Sequence, residues 1–241
     1  MYTKQDYRFL SEIEKNNIEI YNFINQLNLK QQQDLRIGCH DICNTISLIF
    51  GNFQLIELGH PELKSNHHWQ QLNDDVRYLV HTMEQINLYR YARDIRPINT
   101  TATDFISNLN NILCDELYSS LNFQLTIDHV LPDTIMDIDK INYVIKSILN
   151  NIIDNRTATT VTIKIKSVGD SLTIGITDKT SYIAPELRHN IFQPFITSKQ
   201  NHVGLSLATS YQIMLAHNGA LEYIPNDKTG GTFIISFNPM N

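Results

Sequence analysis

The segment His40-Asp41-Ile42-Cys43-Asn44 carries the residue types best suited to chemistry. An imidazole becomes a directed nucleophile when one ring nitrogen is held as N–H by an acceptor. The Asp41 carboxylate stands beside His40 to do that, leaving Nε2 to attack. On a helix Asn44 and Ser47 follow His40 at i+4 and i+7 along one stripe. Taken alone, HDICN also fits a surface histidine with an acidic neighbour, or a metal site shared with Cys39 and Cys43, although no further ligand pair stands at a recognised spacing.

Further along, NNIIDN sets Asn151 and Asn155 four apart on one helix face, where amide oxygens can hold a hydrated magnesium ion and the phosphates attached to it. Asp178 ends SLTIGITD and is a strand-end carboxylate able to accept a hydrogen bond from an exocyclic amine. Gly204 opens GLSLATSYQIMLAH, whose free N–H groups and helix dipole would favour an anion. Each has an ordinary reading when isolated: solvated helix surface, a strand-terminating turn residue, a glycine at a helix start.

The elements that must position these residues are legible in the hydrophobic pattern. Cys39, Ile42, Ile46, Ile49, Phe53 and Ile56 alternate spacings of three and four, a coiled-coil seam. Because Cys39 lies in the seam, His40 projects from its flank. Gly59 and Pro61 break the helix, and a second seam runs through Trp69, Leu72, Val76, Leu79, Met83 and Ile86. A two-helix hairpin cannot bury two such stripes alone, so the pattern predicts a homodimer closing a four-helix bundle. Residues 1–28 read as a helical extension or cap, 29–95 as the hairpin, and 96–241 as a separate domain beginning near Arg96-Pro97.

In that domain helix-like runs (103–119, 139–155, 204–217) mix with strands: NFQLTI at 122–127, VTIKI and SLTIGI around Gly169-Asp170, ALEYI, and TFIISF. Asn218-Gly219 supplies a helix C-cap signal. The pattern predicts a two-layer α+β domain, helices on one face of a mostly antiparallel sheet.

The 241 residues carry a formal charge of −6 with 42% hydrophobic and 18% charged content. An acidic balance offers no footprint for a phosphate backbone, which argues against nucleic acid as a partner. No stretch has the length to span a bilayer, so the expectation is a cytoplasmic protein without membrane insertion, its three cysteines kept as thiols.

Taken in order, the fragments resemble the histidine protein kinase family of two-component systems from about residue 30 onward. HDICN resembles its H-box, NNIIDN its N-box, IFQPFITSK its F-box, and NHVGLSL its G2 box, while GITDKTSYIAP stands at the G1 box and GGTFIISFNP resembles the closing strand. The resemblance implies a dimeric α-helical hairpin followed by an α+β two-layer sandwich of the GHKL (Bergerat) ATPase type. It implies His40 as phosphoacceptor, Asp41 as its acid/base neighbour, and Asn44 as an aid to phosphoryl transfer or phosphatase chemistry. Asn155 would ligate Mg2+ with Asn151 nearby, Asp178 would read the adenine of ATP, Gly204 would approach the phosphates, Thr232 would line the nucleotide site, and a response regulator receiver domain would be the partner.

The match is incomplete at the glycines. Thr180 and Tyr182 replace both G1 glycines, and His202 and Ser206 replace two of the three in G2. Glycine serves where backbone passes close to a ligand or takes positive φ, so these changes threaten strain or occlusion. Arg156 also stands where the family places a small residue. Two functions follow: an autokinase using Mg-ATP, or a phosphotransferase with impaired ATP use that exchanges a phosphoryl group between His40 and a receiver aspartate. A non-enzymatic binding module is a third.

Overall fold

The computed structural model describes residues 18–154, 160–169, 171–179, 183–199, 202–226 and 230–237, without the side chains of 21, 25 and 27–40. Contacts divide the chain between Met83 and Glu84.

The N-terminal unit is a hairpin of two helices, α1 (Ile18–Gly59) and α2 (His67–Arg90), joined by a 3-10 turn, Pro61–Ser65. Pro61 at the first position of that turn gives up no needed N–H. Residues 18–28, read as part of a helical extension or cap, run continuously into α1. Phe53 stacks on Trp69 at 4.1 Å near the turn, and the Arg77 guanidinium lies 5.6 Å from the Phe50 ring. Ile46, Phe53, Val76 and Met83 are buried. The alternate seam residues are not: Ile42, Ile49, Ile56, Leu72 and Leu79 stay 43–52% exposed.

The C-terminal unit is an α+β sandwich. Its helices are α3 (Ala102–Leu113), α4 (Ile138–Ile153), a single turn α5 (Pro185–Arg188) and α6 (Ser206–Ala216). The main sheet contains β2 (Asn122–Ile127), β4 (Thr160–Val168), β5 (Ser171–Asp178), β6 (Ala220–Asn226) and β7 (Gly230–Ser236) in the order β2-β4-β5-β7-β6. Among the described residues, only the β2–β4 pairing is parallel. A two-stranded sheet of β1 (Ile98–Thr100) and β3 (Thr134–Met136) was not expected from the pattern, because three residues are too few to show a period.

Local chemistry explains the helix ends. Thr101 caps α3 by accepting from the Asp104 N–H, and Asp137 caps α4 through Lys140 N. The run expected as helix to 119 stops at Leu113 and resumes as a 3-10 turn, Glu116–Tyr118, where Asp115 accepts from Leu117 N. After α6, Asn218 takes the left-handed conformation (φ 53°) and Gly219 N–H returns to Met214 O, the C-cap anticipated at that dipeptide. Seven residues of α4 are buried, and six of them, including Ile141, Val144, Ile145 and Ile148, share one core with the inward residues of β4 and β5. Helix α6 is covered nearly all round, which suits its small residues Ala208, Thr209 and Ser210.

The last turns of α2 belong to this unit. Ala92 is fully buried, Arg93 Nε donates to Gln212 Oε1 at 2.7 Å, and Lys140 Nζ donates to Tyr91 O at 2.7 Å. Beneath them His217, 1% exposed, donates from Nδ1 to Ile213 O and accepts the Asp137 N–H at Nε2. Burial holds this imidazole below its usual pKa, only partly offset by the Ile213 carbonyl and the Asp137 charge.

Candidate functional site

Two sets of residues come forward, one in each unit. The first lies on α1. Helix runs unbroken through position 40, though the His40 side chain is outside the described residues. Asp41 and Asn44 are exposed, and Thr45 Oγ1 donates to Asp41 O at 2.9 Å. Helical geometry continues the His40 stripe through Asn44, Ser47, Gly51, Leu55 and Leu58. Leu55 and Leu58 are 66% and 78% exposed, and Leu48 beside them 70%. A line of bare leucines beside a polar start is a feature the seam analysis missed, since these positions lie off the heptad contact line.

The second set surrounds the C-terminal end of α4. Asn150 accepts a hydrogen bond from Tyr118 Oη at 3.0 Å, while Asn151, one residue on, is half-buried and meets Lys199. The Lys199 ammonium donates to Asn151 Oδ1 (2.9 Å), Asn151 O (3.2 Å) and Asp154 Oδ2 (3.2 Å). His202 Nε2 approaches the same Asp154 oxygen at 3.7 Å. Sequence reasoning gave Lys199, His202 and Asp154 no role. Lys199 sits 45 residues from Asp154, and nothing in local spacing joins them. Asn155, Thr180 and Tyr182 lie outside the described residues.

Asp178 ends β5 with its side chain buried, 3% exposed, on the face of Leu172, Ile174 and Ile176 that the helices cover. Opposite it in register is Gly231, and next to that Gly230 holds φ at +154°. A Cβ on Gly230 would fall 2.2 Å from Asp178 O, so this glycine lets β7 run close beside the backbone of Asp178 and Lys179. Thr232 pairs with Thr177, their hydroxyl oxygens 2.9 Å apart. Alternation along β5 and β7 puts this threonine pair on the opposite face of the sheet from Asp178. The two strand residues expected together at a nucleotide are therefore separated by the sheet. Side-chain direction depends on strand register, which the motif does not carry.

Gly204 has φ +71°, and a Cβ there would meet the backbone of Ile196 at 2.8–2.9 Å. Phe195 N–H donates to Gly204 O at 2.9 Å, with Phe195 itself at φ 66°. The glycine is thus demanded by the chain's own backbone. Its two substituted neighbours are not in that situation: neither His202 nor Ser206 takes positive φ, and Ser206 is the first residue of α6. Of the G2 positions, the one that backbone geometry requires is the one kept as glycine.

The oxygens of Asn151 and Asp154 form the hard donor set that a magnesium ion and its waters prefer, and they converge on a single cation.

Residues 136–240 match the family described as histidine kinase-, DNA gyrase B-, and HSP90-like ATPase. The chain is 26% identical over 206 residues to the sensor histidine kinase ZraS of Salmonella typhi, covering 81% of this chain and 43% of that protein. It is 24% identical to the sensory histidine kinase/phosphatase NtrB of Vibrio alginolyticus, covering 76% of this chain and 55% of that one. The chain thus spans roughly half the length of these relatives. The fold resembles full-length ShkA in complex with AMPPNP (TM-score 0.65, 14% identity, 86% of this chain and 45% of that chain). It also resembles the histidine kinase ThkA in complex with the response regulator TrrA (TM-score 0.56, 16% identity, 98% and 67%). No helix among the described residues is long and apolar enough to cross a membrane.

Proposed function

We propose, from the match of residues 136–240 to the histidine kinase-type ATPase family and the likeness to sensor histidine kinases, that the chain carries a phosphoryl group on His40 and exchanges it with a response-regulator aspartate. The observation that carries this reading is the order of parts: a helical hairpin whose first helix runs through position 40, followed by an ATPase-type sandwich. His40 would attack phosphorus through one ring nitrogen. Asp41, its exposed neighbour, would hold the proton on the other, and Asn44, one turn on, would orient the phosphoryl oxygens or a hydrolytic water. The exposed seam residues Ile42, Ile49, Ile56, Leu72 and Leu79 support a pair of hairpins closing as a four-helix bundle. Leu48, Leu55 and Leu58, outside the seam, suit the apolar contact of a receiver domain seated beside His40.

ATP, when bound, supplies the γ-phosphoryl group, with magnesium offsetting its charge. Asn151 and Asn155 would take the metal side, Asp178 the base, and Gly204 the approach to the phosphates. We place the impairment of ATP use at Thr180 and Tyr182, the two replaced G1 glycines. The second reading, a working autokinase, is favoured by the ordinary backbone of His202 and Ser206, which removes half of the case against nucleotide binding.

The test is labelling. A receiver domain charged with labelled phosphate should transfer acid-labile label to wild type and none to His40→Ala. Label from γ-labelled Mg-ATP at His40 would establish the autokinase, label surviving in His40→Ala would overturn His40 as the carrier, and label absent from both sources would overturn phosphoryl transfer altogether.

A further inference from the structure

The Lys199 ammonium has three protons, and three acceptors meet it: Asn151 Oδ1, Asn151 O and Asp154 Oδ2, at 2.9, 3.2 and 3.2 Å. Its side chain is only 25% exposed, and the His202 ring stands against the same carboxylate. Two amide oxygens and a carboxylate converging on one point are what a hard cation seeks, and here the cation is covalently part of the chain. The segment bearing Lys199 is also held at its base, where Phe195 N–H donates to Gly204 O and Gly204 packs against the Ile196 backbone. Tethering keeps the ammonium at a local concentration on the order of millimolar, comparable to free divalent ions competing for so small an oxygen set. The ion pair itself is weak, as partly exposed pairs are, so the seat can change hands.

We propose that Asn151 and Asp154 form a cation seat for which Lys199 is the resident occupant, so that a divalent metal binds there only by displacing Lys199 and loosening the Ile196–Lys199 stretch. An ammonium and a divalent ion cannot share three oxygens: their charges repel at contact distance. Metal alone is therefore a poor competitor. A metal arriving with polyphosphate brings further oxygens for itself and an anion to receive the freed lysine, so the two enter together. This deepens the nucleotide-site reading and rests on it only for the identity of the natural displacing ligand.

The experiment uses the full chain and manganese(II) ion as the probe, counted by its electron paramagnetic resonance signal. Lys199→Met, and Lys199→Gln as a polar control, should bind manganese about tenfold or more tightly than wild type, because the tethered competitor is gone. Adding Asp154→Asn should abolish that gain. Hydrogen exchange at the Phe195 and Lys199 amides, which donate to Gly204 O and Thr197 Oγ1, should quicken in Lys199→Met without metal, and in wild type on adding manganese with pyrophosphate. Equal manganese affinity in wild type and both Lys199 variants, a gain that survives Asp154→Asn, or unchanged exchange would each overturn the proposal. Labelling of His40 by a charged receiver does not use this seat, so the carrier reading stands or falls separately.

Discussion

The helical hairpin and the α+β unit treat their apolar residues in opposite ways. In the hairpin, Ile42, Ile49, Ile56, Leu72 and Leu79 remain about half exposed while their alternates Ile46, Phe53, Val76 and Met83 are buried. In the α+β unit, Ile141, Val144, Ile145, Ile148, Ile163, Ile165, Ile174 and Ile235 are all fully buried. One chain closes the second core by itself, but it covers only half of each heptad stripe in the first. A heptad seam presents two rows of contacts, and a single partner helix satisfies one of them. The hairpin's stability should therefore depend on association, and the sandwich's should not.

The largest expected effect lies in the self-sufficient core. Ile148→Ala leaves a cavity between α4 and the sheet and should cost roughly 2–5 kcal/mol, seen as a lowered denaturant midpoint that does not vary with protein concentration. A concentration-dependent midpoint for this variant would break the contrast. Gly204→Ala is expected next, at about 1–3 kcal/mol, because a methyl must fit 2.8 Å from Ile196 O at positive φ. Ser206→Gly at the neighbouring motif position should instead be neutral or slightly destabilising, since Ser206 is helical. A gain in thermal stability from Ser206→Gly would contradict this backbone account.

His217 gives a pH dependence confined to the sandwich. Its folded pKa lies below the unfolded value near 6.5, so as pH falls through that value the unfolded chain takes up a proton that the folded chain refuses. Stability should drop with acidification, by at most about 1.4 kcal/mol per pH unit, and level off once pH passes below the folded pKa. His217→Gln should flatten that slope in unfolding measured between pH 7 and 5. The smallest change in single-chain stability, within about 0.5 kcal/mol, is expected for Ile49→Lys on the bare row of α1. The same substitution should raise the dimer dissociation constant more than tenfold by sedimentation, because it buries an unpaired charge across the axis. An unchanged sedimentation profile would mean that the exposed row is not the bundle interface.

What the sequence determined by itself is local. The period of three and four wrote α1 and α2, alternation wrote β2 at Asn122–Ile127, and Gly169 and Asn218-Gly219 marked a hairpin and a helix end that the structure reproduces. These signals rest on side-chain direction and backbone preference within a few residues, and both can be read from neighbours in the chain. Tertiary structure alone decided the parallel seating of β2 on β4, the separation of Thr232 from Asp178 by the sheet, and the dependence of Gly204 on Ile196. It also decided the meeting of Lys199 with Asn151 and Asp154. Each of these turns on register or on contact between residues far apart in sequence, and such distances close only when the whole core packs.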